Sequence, residues 1–343
     1  MAAHWLREAI GVKVDYHVHL EEGPYSLGWL NRTAEALRPF FCTAKQTHSR
    51  EWLDAFFPQL AERLRNGAFS AEWLDLYRLR AKQVGLAAVG VVDHLYRFRE
   101  YKAYYEAHLH LAGDQLGGLQ RRWLEQVCVT SLDDFVTFVE GQKQRWADDG
   151  IELKVGIELD YFPGGEAVLA DVTGAYPWDY CIGSVHFLQG WGFDNPDTRE
   201  RFQQTDLYML YGRYFSLVEQ AVSSRLFDVV AHPDSLKVFG YRPDEAALLS
   251  YYQRIARALK ETGTATEINT GLLYRYPVRE MCPSLRFLEI LAQHGVAVTT
   301  SSDAHFPDQV GHHLDEAREL LKRAGFRTIA VFDRRRREQV DLF

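Results

Sequence analysis

Residues 13–19 have the sequence KVDYHVH, a short apolar and β-branched run that ends in two histidines. Runs of this length and composition are typical of buried strands in parallel sheets. Side chains alternate along a strand, so His17 and His19 would point to the same face, close enough to share one metal ion. The stretch therefore predicts a buried strand that delivers two metal ligands at its carboxyl end.

Six more runs of the same kind follow along the chain, at 86–92, 153–159, 180–185, 228–231, 265–269 and 296–301. Segments with helical periodicity lie between them, at 70–83, 132–146, 206–223, 243–261 and 283–294. Alternating β and α units of this kind build parallel sheets with helices outside. We expect one α/β barrel domain of about seven or eight strands over residues 1–343, with a helical insertion around 96–150 that covers one mouth of the barrel.

Composition limits the partners of this chain. The net charge is −8, with 47 acidic against 39 basic residues, which argues against a nucleic-acid partner. The four cysteines lack CxxC spacing and predict buried thiols in a reducing compartment. Neither a signal peptide nor a run of about 18 apolar residues is present, so we expect a cytoplasmic protein without a membrane contact. The oligomeric state stays open.

The histidines fall at informative places. Six of the thirteen stand at carboxyl ends of expected strands, together with two carboxylates; these eight residues are His17, His19, His94, Glu158, His186, His232, Asp303 and His305. Barrels of this class keep their active sites at that end. Any one histidine is more often structural, but the set indicates a metal centre. Imidazole with carboxylate suits zinc, iron or manganese rather than calcium.

A second HxH pair, His108 and His110, serves as a control. It lies in the polar stretch AYYEAHLHLAGDQ, which we expect to be helical, and on a helix residues i and i+2 diverge. We therefore expect both at the surface. The histidines expected to be solvated or capping for lack of strand-end placement are His4, His48, His294, His312 and His313.

At this point the sequence resembles the PHP (polymerase and histidinol phosphatase) family. The motifs are DYHVHLEEG at 15–23, VVDH at 91–94, GIELDYFPG at 156–164, DYCIGSVHFLQGWGFDNPD at 179–197, DVVAHPD at 228–234, EINTG at 267–271 and SSDAH at 301–305. The long GIELDYFPG and GWGFD stretches point to its histidinol-phosphatase-like branch. The resemblance implies a distorted (β/α)7 barrel with a three-metal site.

The resemblance also implies which side chains hold the two to three divalent ions. The ligands are His17, His19, Glu158 and Asp303 for the first ion, Glu158 again with His186 and His232 for the second, and His94 with His305 for the third. The third ion normally takes a further residue soon after the HxH pair. Glu21 and Glu22 are the available carboxylates, and Glu21 is preferred.

Hydrolysis of a phosphomonoester dianion requires charge neutralisation and a nucleophile near pH 7, which clustered divalent ions supply as metal hydroxide. We expect Asp303 or His232 to protonate the leaving group, and Lys237, Arg275 or Arg97 to bind phosphate. Asp15 and Asp93 would fix imidazole tautomers or cap strand ends. The aromatic residues that would shape a pocket for an imidazole are Tyr161, Phe162, Phe187, Trp191 and Phe193.

The leading hypothesis is hydrolysis of the small molecule L-histidinol phosphate in histidine biosynthesis. One alternative is a PHP phosphoesterase for another small phosphate, a nucleotide or a phosphotyrosine. Another is a PHP module without catalysis that serves as a metal-stabilised interaction domain. The complete set of motif ligands argues against that last alternative.

Overall fold

The computed structural model describes residues 11–41 and 49–343. Its strands, in chain order, are β1 (Val14–Val18), β2 (Ala88–Val91), β3 (Glu152–Asp160), β4 (Tyr180–Ser184), β5 (Phe187–Leu188), β6 (Trp191–Gly192), β7 (Val229–Val230), β8 (Ala265–Asn269), β9 (Val298–Ser301), β10 (Thr328–Asp333) and β11 (Arg336–Asp341). Seven of them pair in parallel in the order β1-β2-β3-β4-β7-β8-β9. The last strand returns to the first, where His19 N donates to Ala304 O at 2.7 Å.

Every residue of these seven strands is buried. Burial on both faces explains why their sequences are continuous apolar runs rather than alternating ones. All seven expected strands are present, and the expected (β/α)7 barrel is confirmed as a nearly closed one. The antiparallel hairpins β5–β6 and β10–β11 were not predicted.

The helices are α1 (Leu27–Phe41), α2 (Arg50–Asn66), α3 (Ala71–Val84), α4 (Lys102–His108), α5 (Gln115–Val127), α6 (Leu132–Ala147), α7 (Glu166–Ala175), α8 (Leu207–Ser223), α9 (Leu249–Thr262), α10 (Gly271–Arg275), α11 (Leu285–Gln293) and α12 (Leu314–Ala324). The five expected helices correspond to α3, α6, α8, α9 and α11. Helix α3 shows why its bounds were readable: the Ser70 hydroxyl accepts from Trp73 N at its start, and Gly85 ends it in a left-handed conformation.

The two ends of the barrel differ. The hairpin β10–β11 closes the amino end, where Phe332 packs against Tyr16 and Tyr180 at centroid distances of 5.9 and 5.5 Å. A cavity opens at the carboxyl end of the strands. Helices α4 and α5 lie beside that end, and α6 leads the chain back to β3. The strand ends are therefore reachable from one side.

Across the described ranges, no helix combines the length and the apolar character needed to cross a bilayer. Cys128, Cys181 and Cys282 are buried free thiols. Cys42, His4 and His48 lie outside the described residues.

Candidate metal centre

The barrel brings all six strand-end histidines into one cluster. The rings of His17 and His19, both on or just after β1, are 4.9 Å apart between centroids. His19 stacks against His94 and His305, each at 4.3 Å. These side chains come from different strands, and they meet because all seven strands are parallel and end at the same edge.

A first group of ligand atoms surrounds His17 and His19. Glu158 Oε2 lies 3.2 Å from His17 Nε2 and 3.5 Å from His19 Nε2. Asp303 Oδ1 lies 3.5 Å from His19 Nε2 and 4.0 Å from His17 Nε2. Two atoms bound tetrahedrally to zinc at about 2.0–2.1 Å lie about 3.3 Å apart. The spacing of this group therefore fits one divalent ion.

A second group uses the other oxygen of the same carboxylate. Glu158 Oε1 lies 3.5 Å from His186 Nε2 and 3.3 Å from His232 Nε2, and these two nitrogens are 3.3 Å apart. All three separations match a tetrahedral edge. Glu158 thus faces one group with each oxygen, which is the arrangement expected of a bridging ligand.

A third group contains His19, His94 and His305, whose ligand atoms lie within 4.8 Å of one another. His94 also approaches Glu158 Oε2 at 2.8 Å, so its ring stands between the groups. Glu22 Oε1 is 3.6 Å from His305 Nε2.

The preference for Glu21 in this group was wrong. Both oxygens of the Glu21 carboxylate are engaged elsewhere, at 3.2 Å from Trp29 Nε1 and 2.9 Å from Arg63 Nη2. Glu21 therefore packs α1 and α2 against the barrel. Glu22 is the carboxylate that the structure places at the histidines.

Buried polar atoms without a protein partner test whether metal fits here. Among the described residues, the cluster atoms His17 Nε2, His19 Nε2, His94 Nδ1, His305 Nε2 and Glu158 Oε2 are buried without a hydrogen bond. Buried polar groups normally find partners, so several orphans facing one space need an explanation. Lone pairs aimed at a common centre are what divalent metal binding requires. The residues present fit the metal ions that the resemblance implies.

The backbone at two of these side chains is also unusual. Asp303 has φ 54° and His232 has φ 25°, a left-handed region that side chains with a Cβ rarely adopt. A Cβ on Gly271 would lie 2.7 Å from Asp303 Oδ2, so glycine permits this close approach. Such strain is typical of functional sites, where the surrounding structure holds it in place.

Two carboxylates that orient the histidines were missed by sequence reasoning. Glu267 accepts from His17 Nδ1 at 3.1 Å, and Asp160 accepts from His186 Nδ1 at 2.8 Å. Tyr105 donates its hydroxyl to the other Asp160 oxygen at 2.8 Å. Carboxylates in this position fix the tautomer and the direction of a metal-binding imidazole. Asp160 ends β3 and Glu267 lies in the middle of β8, and both stand inside quoted motifs, which was an available signal.

Asp15 and Asp93 were the residues considered for fixing the imidazole tautomers, and the structure gives them other hydrogen bonds. Asp15 accepts from Ser302 N at 2.8 Å, directly after β9, and from Gly311 N at 2.9 Å, so it ties β1 to the chain that follows β9. Asp93 accepts from Leu20 N at 2.9 Å and lies 4.0 Å from His19 Nδ1. Asp15 is thus a strand-end cap.

The electrostatic surroundings keep the rings of His19 and His305 neutral and the carboxyl group of Glu158 ionised. Burial, with His305 and His94 nearby, holds the pKa of His19 well below its usual value, so its ring is neutral and ready to bind metal. Burial and Arg275 lower the pKa of His305 to about 4. Burial alone would raise the pKa of Glu158, but His94, His17 and His186 hold it well below the usual range. Glu158 is therefore a carboxylate at neutral pH.

A cavity of about 500 Å³ lies over the cluster, and Arg275 lines it. Arg275 Nη1 is 3.3 Å from Asp303 Oδ1, and its Nη2 is 3.2 Å from Glu22 Oε1. The other two basic residues expected to bind phosphate do not line the cavity. Lys237 is buried against Asp234 at 2.9 Å.

Arg97 is likewise buried, and its Nη2 donates to Tyr25 OH at 3.1 Å. Both expectations are corrected: Lys237 is held by Asp234 and Met281 O, and Arg97 is fully buried with its Nη2 on Tyr25, and neither lines the cavity. The control histidines also lie away from it. His110 pairs with Asp114 at 2.8 Å, and His108 stacks on Phe162 at 4.8 Å.

The remaining expectations divide as follows. Phe187 and Phe193 line the cavity, whereas Tyr161, Phe162 and Trp191 do not. The other described histidines, none of them in the cluster, are engaged by Gln253, Tyr274 and Glu316; they are His294, His312 and His313.

Known proteins resemble this chain in sequence. The family model of the PHP domain matches residues 69–271. A probable histidinol-phosphatase of Deinococcus radiodurans is 32% identical over 260 residues, which cover 76% of this chain and 90% of the relative. One of Schizosaccharomyces pombe is 26% identical over 268 residues, which cover 74% and 82%.

A solved structure shares the fold. The histidinol phosphate phosphatase of Lactococcus lactis, complexed with zinc, L-histidinol and phosphate, aligns with a TM-score of 0.62 at 18% identity. The alignment covers 96% of this chain and 100% of that one. The barrel is thus of the same type as in that enzyme.

Proposed function

This chain belongs to the PHP family, and from that premise we propose that it hydrolyses L-histidinol phosphate to L-histidinol and phosphate. The observation that carries the proposal is the position of Glu158, whose two oxygens each face a separate pair of histidines within 3.5 Å. That geometry suits a phosphatase with adjacent metal ions.

The proposed cofactors are two to three divalent ions, with zinc, manganese and iron as candidates. When bound, they would neutralise phosphate charge and lower the pKa of a water molecule. The side chains proposed to hold them are His17, His19, Glu22, His94, Glu158, His186, His232, Asp303 and His305.

Arg275 is the proposed phosphate-binding residue of this chain. It lines the cavity beside Asp303 and Glu22, and its planar guanidinium can donate two parallel hydrogen bonds to phosphate oxygens. The positive charge of Arg275 would offset the negative charge on the phosphate oxygens in the transition state.

Asp303 and His232 are the proposed proton carriers. Burial would raise the pKa of Asp303, but Arg275 and His19 hold it well below its usual range, so the carboxylate is ionised. Its Oδ1 lies at the cluster, 3.5 Å from His19 Nε2, where it would relay the proton of the attacking water to the leaving oxygen. His232 is the second candidate, and its buried Nδ1 has no hydrogen bond among the described atoms.

Asp194 is the proposed partner of the substrate ammonium. It lines the same cavity, and burial raises the pKa of its carboxyl group. A bound ammonium would favour the ionised form and offset that cost. A phosphate that lacks an ammonium would leave Asp194 unpaired.

We further propose one domain over residues 1–343, in which the helices of the 96–150 region cover the cavity. Residues of α5 line that cavity, which supports this role. We also propose a cytoplasmic location and no nucleic-acid partner. The buried free thiols and the net charge of −8 support these two points.

Steady-state kinetics on metal-reconstituted protein tests the proposed substrate. We expect kcat/KM for histidinol phosphate to exceed that for generic phosphomonoesters, nucleotides and phosphotyrosine by at least about a hundredfold. Two lost polar contacts at roughly 1.5 kcal/mol each already give that factor. Equal efficiency across the panel would overturn the histidinol assignment and leave a general phosphatase.

A further inference from the structure

We propose that Trp123 and Tyr96 form the wall that receives the aromatic ring of the substrate, so that helix α5 determines specificity. This inference rests on the proposed function and deepens it. It assigns a role to the 96–150 region. None of the proposed metal ligands lies in this region, which begins two residues after His94.

The geometry begins at a metal-ligand ring. His94 stacks on Tyr96 with centroids 4.5 Å apart and an interplanar angle of 17°. Tyr96 in turn contacts Trp123 at 4.8 Å and 61°. These three rings form a continuous path from the metal cluster to α5, and all three line the cavity.

Helix α5 is oriented so that one face serves the cavity. Leu119, Trp123 and Gln126 line it, at positions i, i+4 and i+7. Leu116 and Leu124 of the same helix are buried in the core. Trp123 is half-buried, since it packs on Tyr96 and at 6.0 Å on Phe187 while still facing the cavity.

Gln120 fixes this helix in place. Its side-chain nitrogen donates to His110 O and to Gly190 O, both at 2.8 Å, and its oxygen accepts from Gly192 N at 2.8 Å. The buried amide therefore ties α5 to the β5–β6 hairpin. Trp123 lies one turn further along, so its position is set before substrate binds.

The distance suits the proposed substrate. In histidinol phosphate five single bonds separate phosphorus from the ring, a reach on the order of 6–7 Å. A phosphate held at the cluster therefore brings the imidazole to the aromatic wall. Aromatic pairs gain from offset or edge contacts at centroid distances of 4.5–7 Å. A phosphomonoester without a ring would leave this wall unused.

The test compares two substrates in one variant. We expect Trp123→Ala to lower kcat/KM for histidinol phosphate about tenfold, the scale of a lost aromatic contact. The same preparation should hydrolyse O-phosphoethanolamine, which keeps phosphate and ammonium but lacks the ring, within about twofold of wild type. Because the second rate also reports folding and metal loading, a misfolded variant would be recognised.

Trp123→Phe should restore most of the loss, and Tyr208→Ala, an exposed aromatic on α8, should change neither rate. Inhibition by L-histidinol should weaken about tenfold in Trp123→Ala, with inhibition by phosphate unchanged. Equal losses on both substrates, or no loss on either, would overturn the inference alone. If wild-type protein does not turn over histidinol phosphate, the proposed function fails and this inference with it.

Discussion

The two ends of the barrel both bury charged side chains, and they treat them differently. At the amino end, Lys154 Nζ lies 2.8 Å from Glu152 and 2.9 Å from Asp333, so charges of opposite sign meet within the chain. At the carboxyl end, His186 Nε2 and His232 Nε2 face each other at 3.3 Å, with Glu158 beside both. Nitrogens this close are stable when they share a proton or bind a cation.

This difference separates stability from function. At the amino end Lys154 forms ion pairs within the chain, and the β10–β11 hairpin plugs that end. At the carboxyl end, nitrogen and oxygen atoms of the cluster have no hydrogen-bond partner within the described chain and are free to bind metal ions. Strand β3 begins at Glu152 and carries Glu158 near its carboxyl end, and so offers matched substitutions for the comparison.

Glu158→Gln should produce the largest effect. An amide cannot bridge two ions as a carboxylate does, so we expect metal content to fall at both groups and kcat to fall about a thousandfold or more. Elemental analysis and kinetics measure both. The matched control is Glu152→Gln, which should keep its metal. Loss of activity in Glu158→Gln with unchanged metal content would contradict the bridging role.

Lys154→Met should affect the other end. Removing the ammonium leaves Glu152 buried without its counter-charge, which should lower the free energy of unfolding by about 2 kcal/mol. Urea denaturation measures this, with metal analysis beside it. If the variant loses metal while keeping its stability, the division between the two ends is wrong.

Tyr105→Phe should have a smaller effect. It removes the hydroxyl that donates to the Asp160 carboxylate, which orients His186. Losing such an outer partner should weaken zinc affinity about tenfold. Tyr104→Phe is the control, since that hydroxyl donates only to the Asp160 carbonyl oxygen. Competition with a chelator measures both affinities, and equal values in the two variants would remove the proposed role of Tyr105.

The double substitution of His108 and His110 by alanine should have the smallest effect. His110 pairs with Asp114, and His108 stacks on Phe162, both away from the cavity. Metal content and turnover should stay within about twofold of wild type. A loss of metal in this variant would mean that His108 or His110 binds metal, which would contradict their position away from the cluster.

The barrel and the convergence of its histidines were predictable because both depend on local patterns. A run of apolar residues reports burial, and a histidine at its end reports the edge where parallel strands meet. Helices α1 and α2 were not predicted because Pro39 and Pro58 lie inside them and interrupt the helical pattern of the sequence. In the hairpin β10–β11 only β11, with the sequence RREQVD, lacks an apolar run; β10 carries the buried run 329–332, which was overlooked.

Within the site, choices between neighbours depended on tertiary contacts. Glu21 and Glu22 are adjacent in sequence, but Arg63 and Trp29 take the first and leave the second to His305. Lys237 pairs with Asp234, three residues before it, through the short 3-10 turn 235–237, and its Nζ also donates to Met281 O at 2.8 Å. The spacing of the first pair was readable from the sequence, whereas the contact with Met281 was not.

Titration of metal-free protein with zinc, followed by histidinol phosphate turnover and bound metal per chain, tests the central claim most directly. We predict that turnover is absent without metal, rises with added zinc and saturates at two to three ions per chain. Full turnover in metal-free protein, or reconstituted protein that binds no metal, would contradict the account.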